Sequence, residues 1–153
     1  MIADLATRFD AAVFEPHVTI YAGEKEDDNP AHVLSHVLAD CKPFRLSVRG
    51  LQYSDEFTKT VFVQFEPNAA LSELSRALQQ ASASHHEYEL NPHLSLIYKE
   101  IALSEKIDVV DSVQLTFADV LFDSAKAIVS SARVESRRDV EAWRVAAVQR
   151  LTG

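Results

Sequence analysis

The chain has 153 residues, a formal net charge of −8, three glycines and one cysteine, which suits one compact domain or two small lobes sharing a core. Cys41 alone excludes an internal disulfide framework, a four-cysteine zinc site and a CxxC redox pair. No apolar run exceeds four residues, so no transmembrane helix or signal peptide is expected and a cytoplasmic location follows.

Residues 2–9 (IADLATRF) place Ile2, Leu5 and Phe9 near helical spacing and predict a short helix. Residues 13–22 (VFEPHVTIYA) read as a strand with Pro16 near its start. The charged run Glu24 to Asp28 reads as a solvated loop, and Asn29-Pro30 opens a helix that runs to about Cys41 with Val33, Val37 and Leu38 inward. Two β-rich runs, 44–53 and 57–65, are joined by the short connector SDE, which predicts a hairpin. In the first run Phe44, Leu46 and Val48 alternate with Arg45, Ser47 and Arg49. Residues 69–83 predict a helix with Leu71, Leu74, Leu78 and Ala81 on one stripe. A polar connector holding His85 and His86 leads to Asn91-Pro92 and a second buried strand, 93–99. A short helix near 104–110 follows, then strands near 113–122, 126–134 and 144–151, with RRDVEAW as a helical turn before the last. The residues of that last segment also suit a helix. No linker divides the chain, so residues 1–153 read as one domain.

Two segments carry the chemistry: Pro16-His17-Val18-Thr19-Ile20 and Pro92-His93-Leu94-Ser95-Leu96, with their histidines 76 residues apart. On a strand, side chains at i and i+2 share a face. His17 and Thr19 therefore point one way, Val18 and Ile20 the other, and His93 and Ser95 repeat the arrangement. Two such strands side by side would bring two imidazoles and two hydroxyls into one groove. A neutral imidazole can take a proton from water while a protonated one gives a proton to a leaving oxygen, both near neutral pH. The hydroxyls of Thr19 and Ser95 can hold non-bridging phosphate oxygens. This set needs no metal and no covalent nucleophile. It also answers the shortage of glycine: Gly23, Gly50 and Gly153 cannot assemble a GxGxxG turn or a P-loop, so phosphate must be held by side chains or helix N-termini. His32 and His36 stand at i, i+4, but without HExxH or a third ligand they read as surface histidines. The mixed charges around Arg133, Arg137 and Arg138 read as a surface, not an RNA platform.

The paired H-x-T-x and H-x-S-x motifs, within FEPHVTI and NPHLSLIY, resemble those of the 2H phosphoesterase superfamily, and most of all its cyclic phosphodiesterase branch. The closing segment WRVAAVQRL from Trp143 is similar to that branch's last strand. The resemblance implies an α+β fold of two pseudo-symmetric lobes, each with an antiparallel sheet and flanking helices, with the active-site groove between them. It implies metal-independent hydrolysis of a 2′,3′-cyclic nucleotide or of ADP-ribose 1″,2″-cyclic phosphate, with His93 as base and His17 as acid, no cofactor, and the phosphate left on the 2′ or 1″ oxygen. The substrate is then a small cyclic-phosphate nucleotide. Long nucleic acid fits the acidic balance poorly, no membrane partner is expected, and a monomer is. A 2′-5′ RNA ligase or RNA-end-processing activity and a non-catalytic nucleotide-binding module are the alternatives. Tyr98 matches a family tyrosine that closes over the ligand, yet it lies five residues from His93, which on an undisturbed strand points it away from the groove. Lys59 and Thr60 either border the groove as substrate contacts or sit on an outward edge. The branch usually opens with a short Trp-containing strand, where this chain starts at MIADLATRF, so that strand is either lacking or cut off.

Overall fold

The computed structural model describes residues 1–23, 29–82 and 87–153. The loop at Glu24 to Asp28 and the pair His85-His86 lie outside the described residues. In chain order the elements are α1 (Ile2–Phe9), α2 (Pro30–Val37), β1 (Phe44–Tyr53), a 3-10 turn (Phe57–Lys59), β2 (Val61–Phe65), α3 (Ala69–Ala81), β3 (His93–Ile97), α4 (Leu103–Ser112), β4 (Asp119–Phe122), β5 (Ser124–Val129), α5 (Arg137–Glu141) and β6 (Arg144–Arg150). The fold is α+β, with antiparallel sheets and flanking helices.

The larger sheet has the order β3-β2-β1-β4, and the smaller pairs β5 with β6. Strand β1 is long enough to serve two neighbours. Its first half pairs with β4, from Phe44 opposite Phe122 to Ser47 opposite Asp119, and its second half makes the expected hairpin with β2. Between Val48 and Gly50 the register slips, leaving Arg49 as an extra residue. Gly50 takes the neighbouring position at φ 152°, which disfavours any side chain.

Local chemistry sets the helix ends. Asn29 caps α2 through Ala31 N–H and His32 N–H, with Pro30 at the first position. Asn68 caps α3 through Leu71 N–H, and Ser136 caps α5 through Asp139 N–H. At the end of α1 the Lys99 ammonium donates to the carbonyls of Phe9, at 2.6 Å, and Asp10, where the helix dipole favours a cation.

Two apolar clusters hold the parts together. The larger joins Leu5 and Ala6 of α1, Val61, Val63 and Phe65 of β2, Leu94 and Leu96 of β3 and Val109 of α4. The smaller sets Leu34 of α2, Leu38 just past the end of that helix and Leu78 of α3 against Leu151 and the inner alanines of β5 and β6. Burying each large aliphatic side chain contributes roughly 1.5–3 kcal/mol. Ile20 and Phe44 touch both clusters and tie the two halves.

Several expectations are corrected. Residues 13–22 form no sheet strand. Pro16 has no N–H to give a ladder, and the Thr19 carbonyl bonds the Tyr88 hydroxyl at 3.2 Å instead. Val18 and Ile20 still pack on the core, so the in-out alternation survives without the ladder. The helix after Pro30 ends at Val37, and the strand expected over 113–122 is confined to Asp119–Phe122. The segment from Arg144 is a strand. The two halves are unequal, with four strands against two.

Candidate active site

The Asn91-Pro92-His93 step is fixed from below by Gln64. Its amide donates to Asn91 Oδ1 at 3.0 Å and to the Pro92 carbonyl at 2.9 Å, and Gln64 stands opposite His93 in the β2–β3 ladder. His93 Nδ1 lies 2.7 Å from the Asn91 carbonyl. A carbonyl oxygen only accepts, so Nδ1 carries the proton and the neutral ring has its lone pair on Nε2. The same device recurs 76 residues earlier in the chain, where His17 Nδ1 lies 2.7 Å from the Glu15 carbonyl. In both places the intervening proline biases the residue before it towards an extended backbone, which suits its carbonyl to this role.

The two rings sit in different surroundings. His93 is half-buried with the edge of Phe62 at 5.4 Å. Burial holds its pKa below the ordinary 6.5, helped by the charges of Lys59 and His17 and opposed by the Asn91 carbonyl and Glu56. The two motifs are therefore near enough for the charge of one histidine to act on the other. His17 is boxed by aromatic rings: Phe14 at 6.0 Å, Tyr98 at 6.4 Å and Trp143 at 5.6 Å, all edge-on. Its Nε2 is 3.3 Å from the Tyr98 hydroxyl.

A bulge brings Tyr98 to this side. Val61 pairs with Ile97 but Phe62 pairs with Ser95, so Leu96 is an extra residue in β3. One extra residue reverses the facing of everything after it. Tyr98, just past the strand end, thus returns to the side of His93 and Ser95. It is 5% exposed and stacks on Phe14 at 4.1 Å. Burial pushes its phenol pKa up to about 12.

The two hydroxyls differ. Thr19 is half-buried, and among the described residues its hydroxyl has no protein partner. Ser95 is buried, and its hydroxyl donates to the Thr58 carbonyl at 2.6 Å. Lys59 pairs with Glu56 at 2.8 Å and acts electrostatically on His93. Thr60 is 2% exposed, and its hydroxyl lies 2.8 Å from the Lys99 carbonyl and within reach of those of Glu56 and Phe57. It anchors the 3-10 turn and is not open to the groove.

No local pattern in the sequence singles out Phe14, Phe62 or Tyr88, and Trp143 stands out there only as the start of the closing segment. Their contacts with the motifs cross chain separations that no local pattern encodes. Glu56 and Thr58 were equally silent. His32 and His36 stack at 6.3 Å on an exposed helix face, and among the described residues no three His, Cys, Asp or Glu side chains gather as metal ligands. An apolar hollow of about 420 Å³ is lined by Leu94 and Leu96 together with Val63, Pro16 and Phe117, and includes neither histidine.

Two imidazoles with defined tautomers, an unpartnered hydroxyl and a nearby lysine make up a constellation for acid–base chemistry on a phosphodiester. The family model for the 2′-5′ RNA ligase superfamily matches residues 10–137, which takes in both motifs. The chain belongs to that superfamily, the 2H phosphoesterases, whose members are phosphodiesterases or ligases. A comparison with curated proteins finds no match.

Proposed function

We propose that this protein is a metal-independent cyclic phosphodiesterase acting on a cyclic phosphate of ribose, either a 2′,3′-cyclic nucleotide or ADP-ribose 1″,2″-cyclic phosphate. One observation carries the reading: each motif histidine donates Nδ1–H to the carbonyl two residues back, at 2.7 Å in both cases, which leaves Nε2 as the working nitrogen of each ring. His93, kept neutral by burial, takes a proton from water as the water oxygen attacks phosphorus. His17, entering the step protonated at Nε2, gives that proton to the ribose oxygen as its bond to phosphorus breaks. The ring opens to a monoester with the phosphate on the 2′ oxygen, or on the 1″ oxygen of ADP-ribose. The Thr19 hydroxyl donates to a non-bridging oxygen, and Ser95 joins it by turning from the Thr58 carbonyl.

The net charge of −8 favours a small substrate over long RNA. The rival, 2′-5′ RNA ligation or end processing, would show itself in affinity that falls steeply with salt. Tight binding of a cyclic nucleotide without turnover would point instead to a binding module.

The test is hydrolysis of a panel of cyclic nucleotides and ADP-ribose cyclic phosphate in EDTA. Wild type is expected to turn over at least one of them. His17→Ala and His93→Ala are each expected to lose on the order of 10²–10⁴-fold in rate. Full activity in both variants would overturn the mechanism.

A further inference from the structure

The motifs are nearly symmetric in sequence, but their Nε2 atoms are not treated alike. His17 Nε2 is engaged by the Tyr98 hydroxyl at 3.3 Å, whereas no protein hydrogen bond reaches His93 Nε2 among the described residues. Tyr98 has little freedom to leave. Its ring stacks on Phe14 at 4.1 Å with the planes 10° apart, and Trp143 closes the other side edge-on at 5.6 Å. The Tyr98 hydroxyl, carried by the strand end that follows the second motif, therefore reaches His17 of the first.

We propose that Tyr98 is the positioning residue that makes the two motif histidines unequal, its hydroxyl holding His17 at Nε2 as the acid and leaving His93, of the two, with an open Nε2 to act as base. This deepens the cyclic phosphodiesterase reading and rests on it. The Tyr98 hydroxyl accommodates both states of His17. When the ring is neutral, the phenol O–H donates to Nε2. When the ring is protonated, Nε2–H donates to the phenol oxygen. A phenol whose ionisation is pushed up to about 12 keeps its proton in both states, so it serves as donor and acceptor in turn. With Nδ1 on the Glu15 carbonyl and Nε2–H on the phenol oxygen, the His17 ring is held in place until the leaving ribose oxygen replaces the phenol oxygen as acceptor and takes the proton.

The variant Tyr98→Phe removes one oxygen and keeps the stack on Phe14, so the fold is retained. It is assayed on two substrates, a 2′,3′-cyclic nucleotide, whose ribose oxygen needs a proton to leave, and bis(p-nitrophenyl) phosphate, whose nitrophenolate does not. A loss of roughly tenfold or more in kcat on the cyclic nucleotide is expected, with KM little changed and the nitrophenyl ester hardly affected. His93→Ala should slow both. Equal losses on the two substrates, or no loss on either, would overturn the proposal.

A second readout needs no turnover. In imidazole nitrogen NMR of neutral wild-type protein, His17 Nε2 should carry the signature of a hydrogen-bonded acceptor. That signature should be lost in Tyr98→Phe while the His93 signals stay in place. An unchanged His17 signal would sink the proposal even if the enzyme is active. Failure of wild type to open any cyclic phosphate would sink the functional reading alone, with the nitrogen signals still judging Tyr98.

Discussion

A histidine serves as a base only while its Nε2 lone pair is free and unprotonated, and at His93 both conditions have a visible cause. The Asn91 carbonyl holds the proton on Nδ1, and burial lowers the pKa below 6.5. A lowered pKa keeps the ring neutral to lower pH. The acid limb of the kcat/KM profile is therefore expected below 6.5, the ordinary value for the free side chain. Steady-state rates from pH 4.5 to 8 check this, and an acid limb clearly above 6.5 would contradict it. At this scale the sequence was informative because the device is local: proline, histidine and the carbonyl two residues back are neighbours in the chain. What Tyr98 and Ser95 do was not legible. Ser95 is expected to face phosphate, and the partner that its hydroxyl holds in the structure, the Thr58 carbonyl, lies 37 residues away in the chain, where no local pattern points to it.

Elements aim these residues, and irregularities matter more than regular runs. The extra residue at Leu96 turns Tyr98 back towards His17, and alternation alone could not foresee it. The 3-10 turn at Phe57–Lys59 shows a similar dependence. Thr60 secures it by donating to the Lys99 carbonyl at 2.8 Å. Thr60→Val keeps the shape but leaves buried carbonyls without that donor, a loss of about 1–3 kcal/mol. Chemical denaturation should show it, with KM for the substrate unchanged. A raised KM at full stability would return Thr60 to the ligand. Hydropathy periods did place β1, the β1–β2 hairpin, α1 and α3, and at α3 the Asn68 cap agrees with the apolar spacing. They failed at residues 13–22, whose strand-like pattern lacks a ladder because Pro16 and the side-chain partners of the backbone compete with it.

Over the whole molecule, the two motifs belong to different parts of the fold. His93 starts β3 of the larger sheet, while Glu15, beside His17, pairs with Lys126 of β5 at 2.6 Å. The α+β class and the 2H likeness were readable from the paired motifs because repetition of a motif along the chain is a sequence-level feature. The unequal size of the halves was not, since strand count depends on pairing partners distant in the chain. The proposed function makes one claim above the rest, that two imidazoles open a cyclic ribose phosphate without a metal. Phosphorus NMR of a 2′,3′-cyclic nucleotide incubated with the protein in EDTA tests that claim most directly. The cyclic resonance should give way to that of the 2′-monophosphate, and in His93→Ala it should persist. A cyclic resonance that wild-type protein leaves untouched, or that it opens only when a divalent metal is restored, would contradict the account.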